Sequence, residues 1–207
     1  MSFDLSLHKR LGGFEIDLTL KVGAGLTVLH GPSGVGKSSV LNMVAGLLQP
    51  DAGHVRVGGT LLFDAATGID VPPERRRAGY VFQDARLFPH RRVRDNLLYG
   101  YGLAPEQNRW LSLDEALDFL GIAHLLARWP ATLSGGEARR VAIGRALLAG
   151  AQFLMMDEPL SFLDAARRDE ILQLVERIRD DLRVPILYVT HDHQEARRLA
   201  TTMVEMG

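Results

Sequence analysis

The chain has 207 residues, 46% of them hydrophobic, which suffices for one domain with a full core and leaves little room for two independent ones. Lysine plus arginine total 24 against 25 for aspartate plus glutamate, so no overall pull toward nucleic acid or anionic lipid is expected, and any bound polyanion must be gripped locally. The absence of cysteine excludes a disulfide framework and thiolate metal sites and agrees with a reducing compartment.

The start, Met1-Ser2-Phe3-Asp4, lacks a basic stretch followed by an apolar run, and no uninterrupted apolar segment nears the ~18 residues that suggest a membrane span. Work at a membrane is therefore expected from its cytoplasmic side. Phe3, Leu5 and Leu7, then Ile16, Leu18, Leu20 and Val22, alternate with polar residues in the manner of strands with one wet face. The apolar run Leu26 to Leu29 leads into glycines and then into Ser38 to Leu48, where Val40, Leu41, Val44, Ala45 and Leu48 recur at helical spacing. Gly58-Gly59 between two short runs suits the positive φ angles of a hairpin turn and predicts an antiparallel layer.

Pro105 and Gln107-Asn108 mark Leu103 to Leu111 as a long surface loop. Helical patterns follow from Leu113 to Leu126, from Glu137 to Leu148 and from Ala166 to Leu182. Between them, Phe153 to Met156 and Ile186 to Val189 are short and wholly apolar, as buried parallel strands of an α/β sheet are. Read from charge alone, Arg75 to Arg77 and Arg91-Arg92 are solvated faces.

Gly31-Pro32-Ser33-Gly34-Val35-Gly36-Lys37-Ser38, with Ser39 following, matches the phosphate-loop pattern in full between a strand and a helix. The glycines let backbone N–H groups wrap phosphate oxygens at the positive end of the helix dipole. Lys37 would neutralise the terminal phosphates and the Ser38 hydroxyl would ligate Mg²⁺; the loop by itself admits ATP or GTP. Asp157-Glu158 ends the run Phe153 to Met156 with two carboxylates. Asp157 is suited to hold Mg²⁺ through its water shell and Glu158 to orient the attacking water, unless the pair only ends a strand and caps the next segment. Leu133-Ser134-Gly135-Gly136-Glu137 reads either as a helix cap at Ser134 or as a second phosphate grip made of Ser134, Gly135 and Gly136.

The phosphate loop, Gln83 after Gly79-Tyr80-Val81-Phe82, the Ser134-Gly135-Gly136-Glu137 signature, Asp157-Glu158, Ser161-Phe162-Leu163-Asp164 and His191, in this order, resemble the ATP-binding cassette (ABC) ATPases over essentially the whole chain. The resemblance implies a P-loop NTPase of α/β class, with a mostly parallel core sheet, an antiparallel β layer and an inserted helical subdomain. One ABC ATPase domain would fill residues 1–207, its core and β layer roughly in 1–84 and 150–207 and its helical subdomain in 85–149. It also implies ATP with Mg²⁺, and a head-to-tail dimer in which Ser134, Gly135 and Gly136 close over ATP held by the loop of a second copy. Gln83 would sense Mg²⁺ and the attacking water, His191 would contact the γ-phosphate, and Asp164 would support the dimer contact. Phe14 is the candidate to stack on adenine, although an aromatic between two strands also fits core or turn packing. Glu137 stands where the family usually has glutamine. Phe162 is bulky where a small residue is usual, which implies tight local packing.

Gln83 to Gly100, together with Pro72-Pro73-Glu74-Arg75-Arg76-Arg77, resembles the ATPases of molybdate importers, with tungstate, another oxyanion or another small solute as alternative cargo. The implied partners are transmembrane permease subunits and, through them, a solute-binding protein, at the cytoplasmic face of the cell membrane. No nucleic acid is expected. An ABC ATPase of DNA repair or translation is the rival reading, but one cassette with balanced charge and no sustained heptads fits it poorly. Many molybdate ATPases carry a C-terminal oxyanion-binding domain, and none is expected within these 207 residues.

Overall fold

The structure is a computed structural model that describes residues 2–207; Met1, with which the domain reading begins, lies outside the described residues. Two strands, β1 (Phe3–Leu11) and β2 (Phe14–Val22), pair antiparallel around Gly12-Gly13, from Phe3 opposite Val22 to Leu11 opposite Phe14. Their alternation is the expected one, with Ile16, Leu18 and Leu20 buried and Glu15, Asp17, Thr19 and Lys21 exposed. β4 (Ala52–Val57), β5 (Thr60–Asp64) and β6 (Ile69–Asp70) complete this antiparallel sheet in the order β2-β1-β4-β5-β6, counting β3 (Leu26–His30) as the strand between. Val57 faces Thr60 across Gly58 and Gly59, whose φ angles of 56° and 82° make the hairpin turn that the glycine pair predicts.

β3 belongs to the second sheet, with β7 (Ala78–Val81), β8 (Phe153–Asp157), β9 (Ile186–Thr190) and β10 (Thr202–Glu205). The sheet is parallel throughout, in the order β10-β3-β9-β8-β7. Helices α1 (Lys37–Ala45), α2 (Val93–Leu103), α3 (Leu113–Leu120), α4 (Gly135–Leu148), α5 (Ala165–Arg177) and α6 (His193–Leu199) connect its strands.

The period of two along β8 divides the interior. Leu154 and Met156 pack with Leu97, Leu120, Val141, Ile171 and Val175 from the helices, while Phe153 and Met155 pack with Phe3, Leu5, Leu7, Val40 and Leu41 from the antiparallel sheet and α1. Phe3 meets Phe153 edge to face at 5.9 Å and 87°. Both faces of the parallel sheet are covered, which is why its strands read as continuous apolar runs. No helix among the described residues is long and apolar enough to cross a membrane.

Several boundaries differ from the sequence expectation. α1 stops at Ala45 rather than Leu48 because Gly46 turns left-handed at φ 79°, and its N–H bonds back to the Met43 carbonyl. α3 stops at Leu120 because Gly121 does the same at φ 66°, so the apolar residues up to Leu126 continue the pattern in a separate 3₁₀ turn. α5 loosens after Arg177 into a wider π-type turn ending at Leu182. α2, α6, β6, β7 and β10 are not expected from the sequence.

The expectation that Arg75 to Arg77 form a solvated face fails at Arg76, which is 2% exposed. Its guanidinium donates to the Met43 and Val44 carbonyls at 2.9 Å each, to Val71 O at 2.6 Å and to Asp70 Oδ1 at 2.8 Å. It thus caps the C-terminus of α1, bonding carbonyls of its last turn and opposing the negative end of the helix dipole. A side chain at Gly46 would lie 2.6 Å from Arg76 Nε, so the glycine admits the cap.

Candidate functional site

The carboxyl ends of β3, β8 and β9 lie side by side, and the phosphate loop, Asp157, Glu158 and His191 collect there, as ligand sites do in open α/β sheets. Residues 31–36 leave β3, with Gly31, Gly34 and Gly36 at φ 158°, 86° and 99°, and Lys37 opens α1. Gly31 is needed for close approach as well, because a Cβ there would sit 2.1 Å from the Met206 carbonyl oxygen. Lys37 is 4% exposed and folds back over its own loop, with Nζ donating to Gly31 O at 2.8 Å and Pro32 O at 2.7 Å. Burial lowers its pKa from the ordinary lysine value, and the charges of Glu158 and Asp157 partly oppose that shift.

Asp157 and Glu158 diverge at the end of β8. Asp157 Oδ1 accepts the Ser38 hydroxyl at 2.8 Å, and burial pushes its pKa up, with Glu158 adding to the rise and the Ser38 bond opposing it. Glu158 adopts φ 41°, a left-handed turn rare outside glycine, anchored by its N–H on the Val189 carbonyl at 3.0 Å. The turn swings its carboxylate to a different set of partners. His191 Nδ1 lies 3.1 Å from Oε1, while the Ser161 hydroxyl donates to Oε2 at 3.1 Å and Gln83 Nε2 does so at 3.5 Å. This reversal is how two consecutive residues, the last of β8 and the one after it, come to serve one site.

Two hollows meet at Glu158. One is lined by Leu11, Phe14, Ser33, Gly34, Gly36, Lys37, Ser38 and Ser39 together with Glu158, and the other by Gln83, Ser161, Phe162, Thr190 and His191 among others. Phe14 thus stands beside the loop, and a Cβ at Gly36 would be 2.7 Å from its ring. Gly31, Pro32 and Val35 belong to the loop but line neither hollow.

Ser134, Gly135 and Gly136 line neither hollow. They open α4, where Ser134 Oγ accepts the Glu137 N–H at 3.3 Å and the Glu137 carboxylate accepts the Ser134 N–H at 2.6 Å, a reciprocal cap. A Cβ at Gly135 would meet Leu163, and one at Gly136 would meet Arg167 in the first turn of α5. Within one chain, then, the loop and the signature do not meet.

Phe162 corrects another expectation. It is 92% exposed, at φ 67°, so the bulky residue projects into solvent beside Glu158 rather than packing tightly.

Sequence reasoning singles out neither Ser161 as a partner of Glu158 nor the arginines that hold Gln83. Buried Arg139 donates to the Phe82 and Gln83 carbonyls, the latter at 2.6 Å, and Arg145 donates to Ala85 and Arg86 O at 3.0 and 2.8 Å. Both arginines project from α4, so the helix that starts at the signature also fixes the Gln83 segment. Their type and spacing are visible in sequence; the carbonyls they meet are not.

A family profile described as ABC transporter matches residues 15–161. The chain belongs to the ABC transporter family. It is 54% identical over 203 residues to the molybdenum import ATP-binding protein ModC of Paramagnetospirillum magneticum, covering 98% of this chain and 56% of that protein. It is 51% identical over 207 residues to the ModC of Mesorhizobium japonicum, covering 100% and 56%. The chain thus spans about half the length of the curated relatives it matches. Among ABC structures, cbiO1 from Clostridium perfringens, part of the transporter complex cbiONQ, superposes with a TM-score of 0.82 at 26% identity over 99% of this chain and 84% of that one. A bacterial ABC transporter cassette solved as a dimer gives a TM-score of 0.78 at 25% identity over 99% and 94%. These cassettes share the P-loop NTPase architecture of ABC type that the motif order predicts.

Proposed function

We propose that the chain is the ATP-binding and ATP-hydrolysing subunit of an ABC importer for molybdate or tungstate, acting as a head-to-tail dimer on permease subunits at the cytoplasmic face of the membrane. The observation that carries the hydrolytic part is the convergence of Gln83, Ser161 and His191 on Glu158, beside the loop of residues 31–38. Loop N–H groups and Lys37 would hold the phosphates, and Lys37 would exchange its carbonyl partners for phosphate oxygens. Glu158, fixed from three sides, would orient and polarise the attacking water. His191, more than half exposed, would turn toward the γ-phosphate when the site fills.

The Ser38 hydroxyl and Asp157 carboxylate are hard oxygen donors already in mutual contact, a fit for Mg²⁺, which prefers one or two protein oxygens with waters and substrate phosphates. Ser38 and Asp157 would hold it, with Gln83 nearby, and when bound it neutralises charge on the phosphates. Phe14, beside the loop, would stack on the base.

The separation of Ser134, Gly135 and Gly136 from the loop supports a composite site. Ser134 and Gly135, partly or fully exposed, and buried Gly136 open a helix whose N-terminal N–H groups would take a phosphate from elsewhere, supplied by a second copy of the chain. Cargo rests on the ModC relatives, which are molybdenum import ATP-binding proteins with 51% and 54% identity. A solute-binding protein would deliver the oxyanion to the permease. In the assembled transporter, ATPase activity is expected to rise with molybdate-loaded binding protein. Stimulation by a different solute alone would overturn the cargo assignment and leave the ATPase assignment intact.

A further inference from the structure

Glu195 is a buried carboxylate with no part in the chemistry above. It lies in α6, is 6% exposed, and its Oε2 accepts two buried hydroxyls, Tyr188 at 3.1 Å and Thr190 at 2.9 Å. Burying a carboxylate is costly unless hydrogen bonds compensate, so this arrangement fixes α6 firmly to the end of β9. Thr190 in turn accepts the Asp192 N–H at 3.0 Å, and Asp192 Oδ1 accepts the Gln194 and Glu195 N–H groups at 2.8 and 3.2 Å. Arg168, from α5, reaches Asp192 Oδ2 at 3.2 Å and stands 3.9 Å from Glu195 Oε1.

These contacts bracket His191. The residue before it is tied to Glu195 by its side chain, and the residue after it by its backbone through Thr190 and by its carboxylate. His191 itself has a side chain 55% exposed, with its Nδ1 3.1 Å from Glu158 Oε1. Little holds the imidazole directly, so its position depends on the backbone at Thr190 and Asp192.

The geometry points to Glu195 as a positioning residue for hydrolysis, acting through Thr190 to hold His191 against Glu158. This inference rests on the ATPase reading and adds to it Glu195, which lines the hollow shared with Glu158 and His191 and directs its Oε2 to Tyr188 and Thr190. Glu195 requires two properties, an acceptor for two hydroxyls and burial. Glutamine keeps the acceptor oxygen and leucine does not, so the two substitutions separate positioning from bulk packing.

The test compares steady-state ATPase kinetics of the full 207-residue chain and its Glu195→Leu, Glu195→Gln and Thr190→Val variants. A displaced imidazole costs turnover and spares the phosphate loop, so Glu195→Leu and Thr190→Val are expected to lower kcat roughly 10- to 100-fold. KM for ATP should stay within about threefold, because ground-state binding is untouched, and Glu195→Gln should recover most of kcat. Thr190→Val removes one hydroxyl from an otherwise native core, so it carries the test should Glu195→Leu not fold. Unchanged kcat in a folded Glu195→Leu or Thr190→Val variant would overturn the inference, as would a glutamine variant as slow as the leucine one, or KM rising in step with the fall in kcat. A native chain with no ATPase activity would instead count against the ATPase reading.

Discussion

Ser38 donates its hydroxyl to Asp157 Oδ1 across 2.8 Å, joining the first turn of α1 to the end of β8. The bond links the two halves of the sequence through the point where phosphate charge would be neutralised. Asp157→Ala is expected to shift the Mg²⁺ titration of ATPase activity to roughly 10- to 100-fold higher concentration, the usual cost of losing an outer partner of a metal. An unshifted titration would remove Asp157 from the metal site.

Lys37 spends its charge on two carbonyls of its own loop, at 2.8 and 2.7 Å. Lys37→Ala should therefore abolish ATP binding while the nucleotide-free fold persists. A ligand at 100 times its Kd stabilises by ~2.7 kcal/mol, and each kcal/mol moves Tm by roughly 2–4 °C at this chain length. That upward shift with ATP is expected in the native chain and not in the variant. Retained ATP stabilisation in Lys37→Ala would contradict the role of the loop.

Phe14 closes the tight turn that starts β2 and lines the hollow with Ser33, Gly34 and Gly36. If its ring stacks on the base, Phe14→Ala costs about 1–3 kcal/mol of ATP affinity, seen as a higher KM with kcat unchanged. A packing role alone would lower Tm and leave KM in place.

The strands and the phosphate loop are legible in sequence because their signals are local. Alternation in β1 and β2 follows from one wet face, and the glycines at 31, 34 and 36 must supply left-handed or extended backbone. α2 is obscured by Gly100 and Gly102, which weaken any helical pattern, and α6 is seven residues long with two arginines in its last turn. Arg76 illustrates a different limit. Its neighbours Arg75 and Arg77 make it look like part of a charged surface, and only the meeting of α1 with β6 gives its guanidinium carbonyls to bond. Phe162 errs in the opposite direction, as an aromatic that suggests packing and is exposed because its segment turns outward after Glu158. The separation of Ser134 from the loop is likewise a property of the folded chain, although the two phosphate-binding patterns are each visible in sequence.

Phe162, at 92% exposure, contributes little to the stability of one chain. Phe162→Ala should leave the unfolding free energy within about 0.5 kcal/mol and weaken ATP-dependent dimerisation by more than about 1 kcal/mol if the ring anchors the partner. Sedimentation equilibrium with and without ATP measures the second quantity. Dimerisation unaffected by the substitution would remove Phe162 from the interface.

Glu137, in place of the family's usual glutamine, gives the α4 cap a pH dependence. The Ser134 N–H bond is the largest influence holding its pKa below the ordinary 4.5, with Arg128 at 3.0 Å adding to the effect. Because the folded pKa lies below the unfolded one, its contribution to stability is complete above the unfolded value and is lost as pH falls through the folded value. Glu137→Gln keeps the cap and removes this titration. Acid unfolding curves of the variant should show a shallower loss of stability below about pH 4.5; identical curves would dismiss the contribution.

In the proposed cycle ATP would close two chains over the composite site, and hydrolysis through Glu158 would let them part. Glu158→Gln retains the size of the side chain and removes the charge that Gln83, Ser161 and His191 surround. The decisive measurement is the mass in solution of this variant, by light scattering during gel filtration with ATP and Mg²⁺, alongside its turnover. A stable dimer that retains ATP, with turnover lost, is expected. A monomer that hydrolyses ATP at the native rate would contradict the proposed cycle.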